Sequence, residues 1–236
     1  MNNQILSDPE LRRFKDQISL PCIGIEGQQR LKNLRVAVIG AGGIGSALLQ
    51  LLSSIGIGHL GIIDFRLVEE NSMQRQTLFG GNDLGKLKTI LSRERLQTIF
   101  PFVNYEIINL EITKENSQRI FSKFDFVVDS SNLPVTSSIT FEACKNLELP
   151  SFYGSVSDRR GMVTIIDFKK APKNLIFSDI FNNIFYTNTS GKISIAYNFV
   201  AILICNEILN FSTSNPSFPY SKRISFDLTD YRITID

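Results

Sequence analysis

The sequence predicts an α/β fold: a doubly wound, mostly parallel sheet with antiparallel strands added at its C-terminal end. Three observations predict it. Short apolar runs alternate with stretches of helical length, as buried parallel strands and their crossover helices do. The first run ends in a glycine cluster that opens a helix. After Gly161 the alternation gives way to closing strands. A length of 236 residues fits one domain. It divides into an N-terminal helical segment (1–33), a core (34–160), and a long connection, helix and closing strands (161–236).

Ser7, Asp8, Pro9 and Glu10 have the order of a capping box with proline in the first turn, so a short helix is expected over Leu11–Gln17. The polar Gln28–Asn33 stretch reads as a lead-in to the first strand, Arg35–Gly40. A helix follows over Ser46–Ile55, then a strand Leu60–Asp64, a long helix Asp83–Phe100 and a strand Tyr105–Ile108. Thr113–Phe121 and Pro134–Asn146 read as helices flanking a strand Asp125–Asp129, and Ser151–Tyr153 as the next strand. Met162–Phe168 is a strand, Lys169–Thr189 a long loop, Ile193–Phe211 an apolar helix, and Arg223–Leu228 and Tyr231–Ile235 antiparallel strands.

Hydrophobic residues make up 43% and charged residues 20%, which argues for a globular chain rather than a disordered or coiled-coil one. The net charge of +2 gives no overall field for nucleic acid or membrane binding. Val36–Phe65 is the most apolar stretch, but seven glycines, three serines, Gln50 and His59 interrupt it, so it reads as strand, helix, strand. Three cysteines without a C-x-x-C pair predict neither a disulfide framework nor a zinc site, and a reducing cytoplasmic location is expected.

Gly40-Ala-Gly42-Gly43-Ile-Gly45 sits between a strand and a helix, and Asp64 ends the next strand 19 residues past Gly45. Glycines there allow a tight turn and close approach of backbone to phosphate. The helix N-terminus supplies unpaired N–H groups, and an acid at that spacing suits ribose hydroxyls. The alternative is a glycine turn with no ligand. The arrangement is Rossmann-like and serves NAD, FAD or ATP alike. Downstream, Gln74-Arg75-Gln76 and Gly85-x-x-Lys88 add two cations, which phosphoryl or nucleotidyl transfer needs and hydride transfer does not. Taken singly, Arg75 and Lys88 are also compatible with solvated helix-edge charges.

Gly40–Gly45, Asp64, Gln74–Gln76 and Gly85-x-x-Lys88 together resemble the ThiF/MoeB/HesA family, bacterial relatives of ubiquitin-activating enzymes. Phe14–Ile18, Glu26–Gln28, Val127–Asp129 and Ser190–Gly191 fall in the family's order, so the resemblance covers about residues 8–236. It implies ATP and magnesium as cofactors, no zinc, and adenylylation of the C-terminal carboxylate of a ubiquitin-like sulfur carrier protein. By that resemblance Arg75 and Lys88 are catalytic, and Gly40, Gly42, Gly43, Gly45, Asp64, Ser72, Gln76 and Asn132 hold the nucleotide. A two-fold dimer is implied, with the Lys169–Thr189 loop crossing over the carrier tail.

The chain also departs from the pattern. The family's N-terminal arginine, which reaches the partner's ATP, is here Asp16. The magnesium-binding aspartate is Asn132, and the asparagine before the arginine is Ser72. Three functions remain open: an active adenylyltransferase; a catalytically impaired subunit that binds nucleotide or carrier beside an active partner; and a peptide-tailoring enzyme acting on a precursor peptide.

Overall fold

The computed structural model describes residues 5–181, 191–213 and 220–236. Among them the helices are α1 (Asp8–Arg13), α2 (Lys15–Ile18), α3 (Gly24–Asn33), α4 (Gly43–Ser54), α5 (Lys88–Ile99), α6 (Lys114–Phe121), α7 (Pro134–Leu147), α8 (Phe177–Phe181) and α9 (Ser194–Thr213). The strands are β1 (Arg35–Ile39), β2 (His59–Ile63), β3 (Asn104–Ile108), β4 (Phe126–Asp129), β5 (Ser151–Ser157), β6 (Arg160–Ile166), β7 (Ser221–Asp227) and β8 (Arg232–Ile235). They form one sheet in the order β3-β2-β1-β4-β5-β6-β7-β8. The pairs from β3 to β5 are parallel, and those from β5 to β8 antiparallel.

The strand order reverses between β1 and β4, and an α/β sheet binds ligands in the crevice at such a point. Val36, Ala37 and Val38 in β1 and Val127 and Val128 in β4 are fully buried, as expected for strands covered on both faces. On one face α3, α4, α5 and α9 pack around Leu48, Leu52, Phe152 and Val200; on the other α6, α7 and α8 pack around Phe121, Phe141 and Phe181. Helix α9 is apolar and long enough to cross a membrane. Here its Ala196, Val200, Ala201, Ile204 and Ile208 are buried against the core, so its apolarity serves packing.

The expected capping box is present: the Glu10 carboxylate accepts from Ser7 N at 2.8 Å and from Lys32 Nζ at 2.6 Å, tying α1 to α3. Helix α3 itself was not expected. Its Gly24 and Gly27 lower its intrinsic propensity. Packing compensates, with Leu31 fully buried and Gly27 close enough to α9 that a Cβ would lie 3.2 Å from Thr213 Cγ2. Helix α5 starts at Lys88 rather than Asp83, because the preceding residues form a 3-10 turn (Gly81–Asp83) and then an antiparallel bridge from Leu87 to Leu67. Strand β5 runs on to Ser157 and turns directly into β6. Within the long connection α8 forms; residues 182–190 lie outside the described residues, and with them part of the expected crossing loop.

His59 lies at the N-terminal end of β2, the end of the sheet away from the crevice. Its Nε2 is 3.1 Å from Glu106 Oε2 and 3.3 Å from Arg35 Nη2. Burial, aided by Arg35, holds the imidazole below its ordinary range against the pull of Glu106. The unfolded chain therefore takes up this proton first, so the contribution to stability is complete above about pH 6.5 and declines as pH falls below it. Urea melts from pH 7 to 5 should show a shallower decline for His59→Gln than for the wild type. Parallel curves would contradict this assignment.

Candidate active site

The crevice is built on the glycine loop after β1. Gly40 adopts φ +91, a conformation open to glycine, and donates its N–H to Ile63 O at 2.7 Å. Ser130, just after β4, donates its hydroxyl to Ile39 O at 2.7 Å and Gly40 O at 2.8 Å, closing the loop from the other side. Asp64, nearly buried after β2, accepts from Ala41 N and Arg66 N, each at 2.8 Å. Its carboxylate thus latches the loop, and each oxygen keeps a further lone pair.

The three glycines of the turn into α4 have different surroundings. A Cβ on Gly45 would come within 1.7 Å of Gly40 O, so helix and strand approach as only glycine permits. A Cβ on Gly43 would lie 2.5 Å from the Tyr197 ring of α9, while one on Gly42 would meet nothing within 4 Å. Gly42 therefore leaves open space in front of the first turn of α4, whose leading amides have no partner within the helix.

Lys88 is brought to this turn by the Leu67–Leu87 bridge and by its own N–H, which bonds Arg66 O at 3.3 Å. It is 5% exposed, and among the described residues it makes no ion pair. Burial pushes its ammonium below the usual lysine range; Asp64 works the other way, and Arg66 and Arg75 add to the lowering. A cation at the N-terminus of a helix also opposes the helix dipole. Such a residue costs the fold stability and is relieved by an anion. Arg75 ends a 3-10 turn (Glu70–Arg75) and lines the same crevice, braced by Nη1 on Asn71 O at 2.9 Å.

The crevice holds about 970 Å3 of free space, its open mouth included. Gly40, Gly42, Gly43, Asp64, Arg75, Gln76, Lys88 and Asn132 all line it, so most of the residues singled out in the sequence meet there. The Gln76 side-chain oxygen is buried with no hydrogen-bond partner among the described residues. Ser72 is a correction: it is buried away from the crevice, its hydroxyl bonded to Glu69 O at 2.8 Å, and it shapes the 3-10 turn. Gly45 likewise acts by packing beneath the loop.

Asn132 lines the crevice wall, but its amide is used internally: Nδ2 donates to Val156 O and Oδ1 accepts from Val156 N, both at 3.2 Å. Asp129 beneath it is buried, accepting from Ser131 N at 2.9 Å and from Ser137 Oγ at 2.5 Å, and burial raises its carboxyl pKa. Among the described residues no three of His, Cys, Asp and Glu cluster for a metal. Asn132, where the resemblance places a magnesium ligand, spends its amide on Val156, and the carboxylates that line the crevice are Asp64 and Glu111. Asn132→Ala is therefore expected to cost about 1 kcal/mol of stability and to change ATP affinity less than about threefold. Denaturant melts and calorimetry test this; unchanged stability with lost binding would restore a ligand role.

Asp16 is exposed on α2. Its neighbour Gln17 bonds Ile55 O at 2.9 Å, at the C-terminal end of α4. The 12 residues of α4 span about 18 Å, so Asp16 stands a helix length away from the crevice of its own chain. Cys144 and Cys205 are buried with raised thiol pKa values, and Cys22 is exposed outside the crevice. Sequence reasoning missed Arg66, Glu111, Ser130, Ser131, Lys192 and Tyr197 on the crevice wall. Only Arg66, two residues after Asp64, had a local signal.

A sheet of this order, with a glycine loop, a latching acid and two cations at its switch point, is a doubly wound α/β fold of Rossmann-like kind. The chain belongs to the ThiF family, whose sequence pattern it matches over residues 14–234. It is 36% identical over 156 residues to the sulfur carrier protein adenylyltransferase of Thermus thermophilus, an alignment that takes in 66% of this chain and 58% of that relative. The chain thus spans little more than half of that protein's length. Among solved structures, PaaA superposes over 100% of this chain and 76% of its own, with TM-score 0.83 and 20% identity. The structure of E. coli MccB with AMPCPP and MccA covers 100% of this chain and 72% of its own, at TM-score 0.75 and 20% identity. At these identities the two structures speak for the fold.

Proposed function

We propose that the protein is an ATP-dependent adenylyltransferase that activates the C-terminal carboxylate of a ubiquitin-like sulfur carrier protein or a peptide. The observation that carries this reading is Lys88, a buried cation without an ion pair among the described residues, lining the crevice with Arg75 and Gly42. The name of the Thermus thermophilus relative supports the choice of reaction and carrier. In the reaction a carboxylate oxygen bonds to the α-phosphorus as the bond to the bridging oxygen breaks, and pyrophosphate leaves with that electron pair. Charge grows on the phosphate oxygens, where fixed cations stabilise the transition state most. Asp64 keeps the glycine loop in place.

A second reading is favoured by Asp16 and Asn132. One is exposed and of the wrong sign, and the other is engaged with Val156. A chain so altered suits a subunit that binds nucleotide or carrier and relies on an active partner. ATP–pyrophosphate exchange in the presence of a carrier ending in Gly-Gly separates the two. Exchange by the purified chain supports the first reading, and binding without exchange the second.

A further inference from the structure

We infer that Lys192 is a binding residue for the leaving-group end of the nucleotide, gripping the β- and γ-phosphates from within the same chain; this rests on the adenylyltransferase reading above. Three links hold its backbone at the crevice. Lys192 forms a parallel bridge with Asp158 at the β5–β6 turn. Its carbonyl accepts from Gln74 Nε2 at 3.0 Å, which joins it to the turn that carries Arg75. It stands two residues before α9, whose Tyr197 packs over Gly43. Lys192 lines the crevice, is exposed to solvent, and makes no ion pair among the described residues.

The strand order says which end of a nucleotide it meets. Asp64 follows β2, and Leu110, Glu111 and Ile112 follow β3, so the nucleoside end of the crevice lies on the β2–β3 side. The glycine loop and the first turn of α4 follow β1 at the centre. Asn132 and Lys192 lie beyond, towards β4, β5 and β6. A triphosphate whose α-phosphate reaches the glycine loop extends its remaining phosphates in that direction.

Charge points the same way. Arg66, Arg75, Lys88 and Lys192 line the crevice against Asp64 and Glu111, and Asp64 already accepts from two backbone N–H groups. The chain carries Asp16 where the resemblance leads one to expect an arginine, and α4 separates Asp16 from this crevice. Lys192 supplies a cation at the site from a position outside the glycine loop and the Gln74–Lys88 segment.

The test is calorimetric titration of the wild type, Lys192→Met and Lys192→Arg with ATP, AMP and inorganic pyrophosphate. Lys192 is exposed, so both variants are expected to fold as the wild type does, which a thermal melt checks. Lys192→Met should weaken ATP and pyrophosphate by about tenfold, leave AMP within about twofold, and make ATP binding less sensitive to salt. Lys192→Arg should keep most of the ATP affinity. Equal loss for AMP and ATP, or unchanged ATP affinity in the methionine variant, would overturn the assignment. A wild type that binds ATP while the variant shows no difference defeats the role of Lys192 alone; a wild type that binds no ATP defeats the adenylyltransferase reading and this inference with it.

Discussion

Lys88→Met should lower ATP–pyrophosphate exchange by about a hundred- to a thousandfold, because it removes a fixed cation from the place where charge develops. ATP affinity should fall less, since the ground-state triphosphate is also held by the glycine loop and Arg75. The same substitution should leave the fold intact and raise its stability by about 1 kcal/mol. The reason lies in Lys88's position: it is buried without an ion pair among the described residues and placed at the helix end that repels a cation. Methionine fills the same volume without the desolvation cost. A thermal melt beside the exchange assay checks both halves. A lower melting temperature together with unchanged exchange would show that Lys88 serves structure alone.

Gly45→Ala is expected to have the largest effect on stability. The added methyl would lie 1.7 Å from Gly40 O and 2.8 Å from Ser130 Oγ, between a strand end and a helix that both sit in the core. Neither is the tip of a long flexible side chain, so backbone must move. A cost of about 3 kcal/mol is expected, a drop of roughly 10 °C in Tm for a chain of this size. Nucleotide binding should be lost with it, because the displaced atoms are those that hold the loop. Gly42→Ala is the contrast. Its methyl meets nothing within 4 Å and projects where the ligand approaches, so binding should suffer while the fold persists. Similar melting temperatures for the two variants would contradict this account of the loop.

The sheet was legible because buried parallel strands leave a plain trace: Arg35–Ile39, Leu60–Ile63 and Phe126–Asp129 are short apolar runs with turn residues at their ends. The glycine loop was legible for a related reason, since Gly40 and Gly45 occupy positions where a side chain is sterically excluded. Helix α3 was not, because its stability comes from contact with α9, nearly two hundred residues away in the chain, and not from its own glycine-containing sequence. The start of α5 was misplaced because a bridge between Leu67 and Leu87 competes with helix for the residues before Lys88.

Within the crevice, the glycine-loop residues and the cations Arg75 and Lys88 come together as their spacing suggests, whereas side-chain direction is not legible in the sequence. Ser72 and Asn132 stand at motif positions, yet Ser72 turns to Glu69 and Asn132 to Val156. Residue type and spacing do not encode that choice; the local hydrogen-bond competition does. Tyr197 and Lys192 reach the crevice only because the β5–β6 turn meets the start of α9, a juxtaposition created by the fold.

The measurement closest to the central claim is a calorimetric titration of the purified chain with ATP, followed by pyrophosphate exchange in the same sample with a Gly-Gly-tailed carrier. The account predicts saturable ATP binding and carrier-stimulated exchange that Lys88→Met lowers by about a hundred- to a thousandfold. Absence of ATP binding by a folded wild type would contradict it, leaving the glycine loop and its two cations as scaffold only.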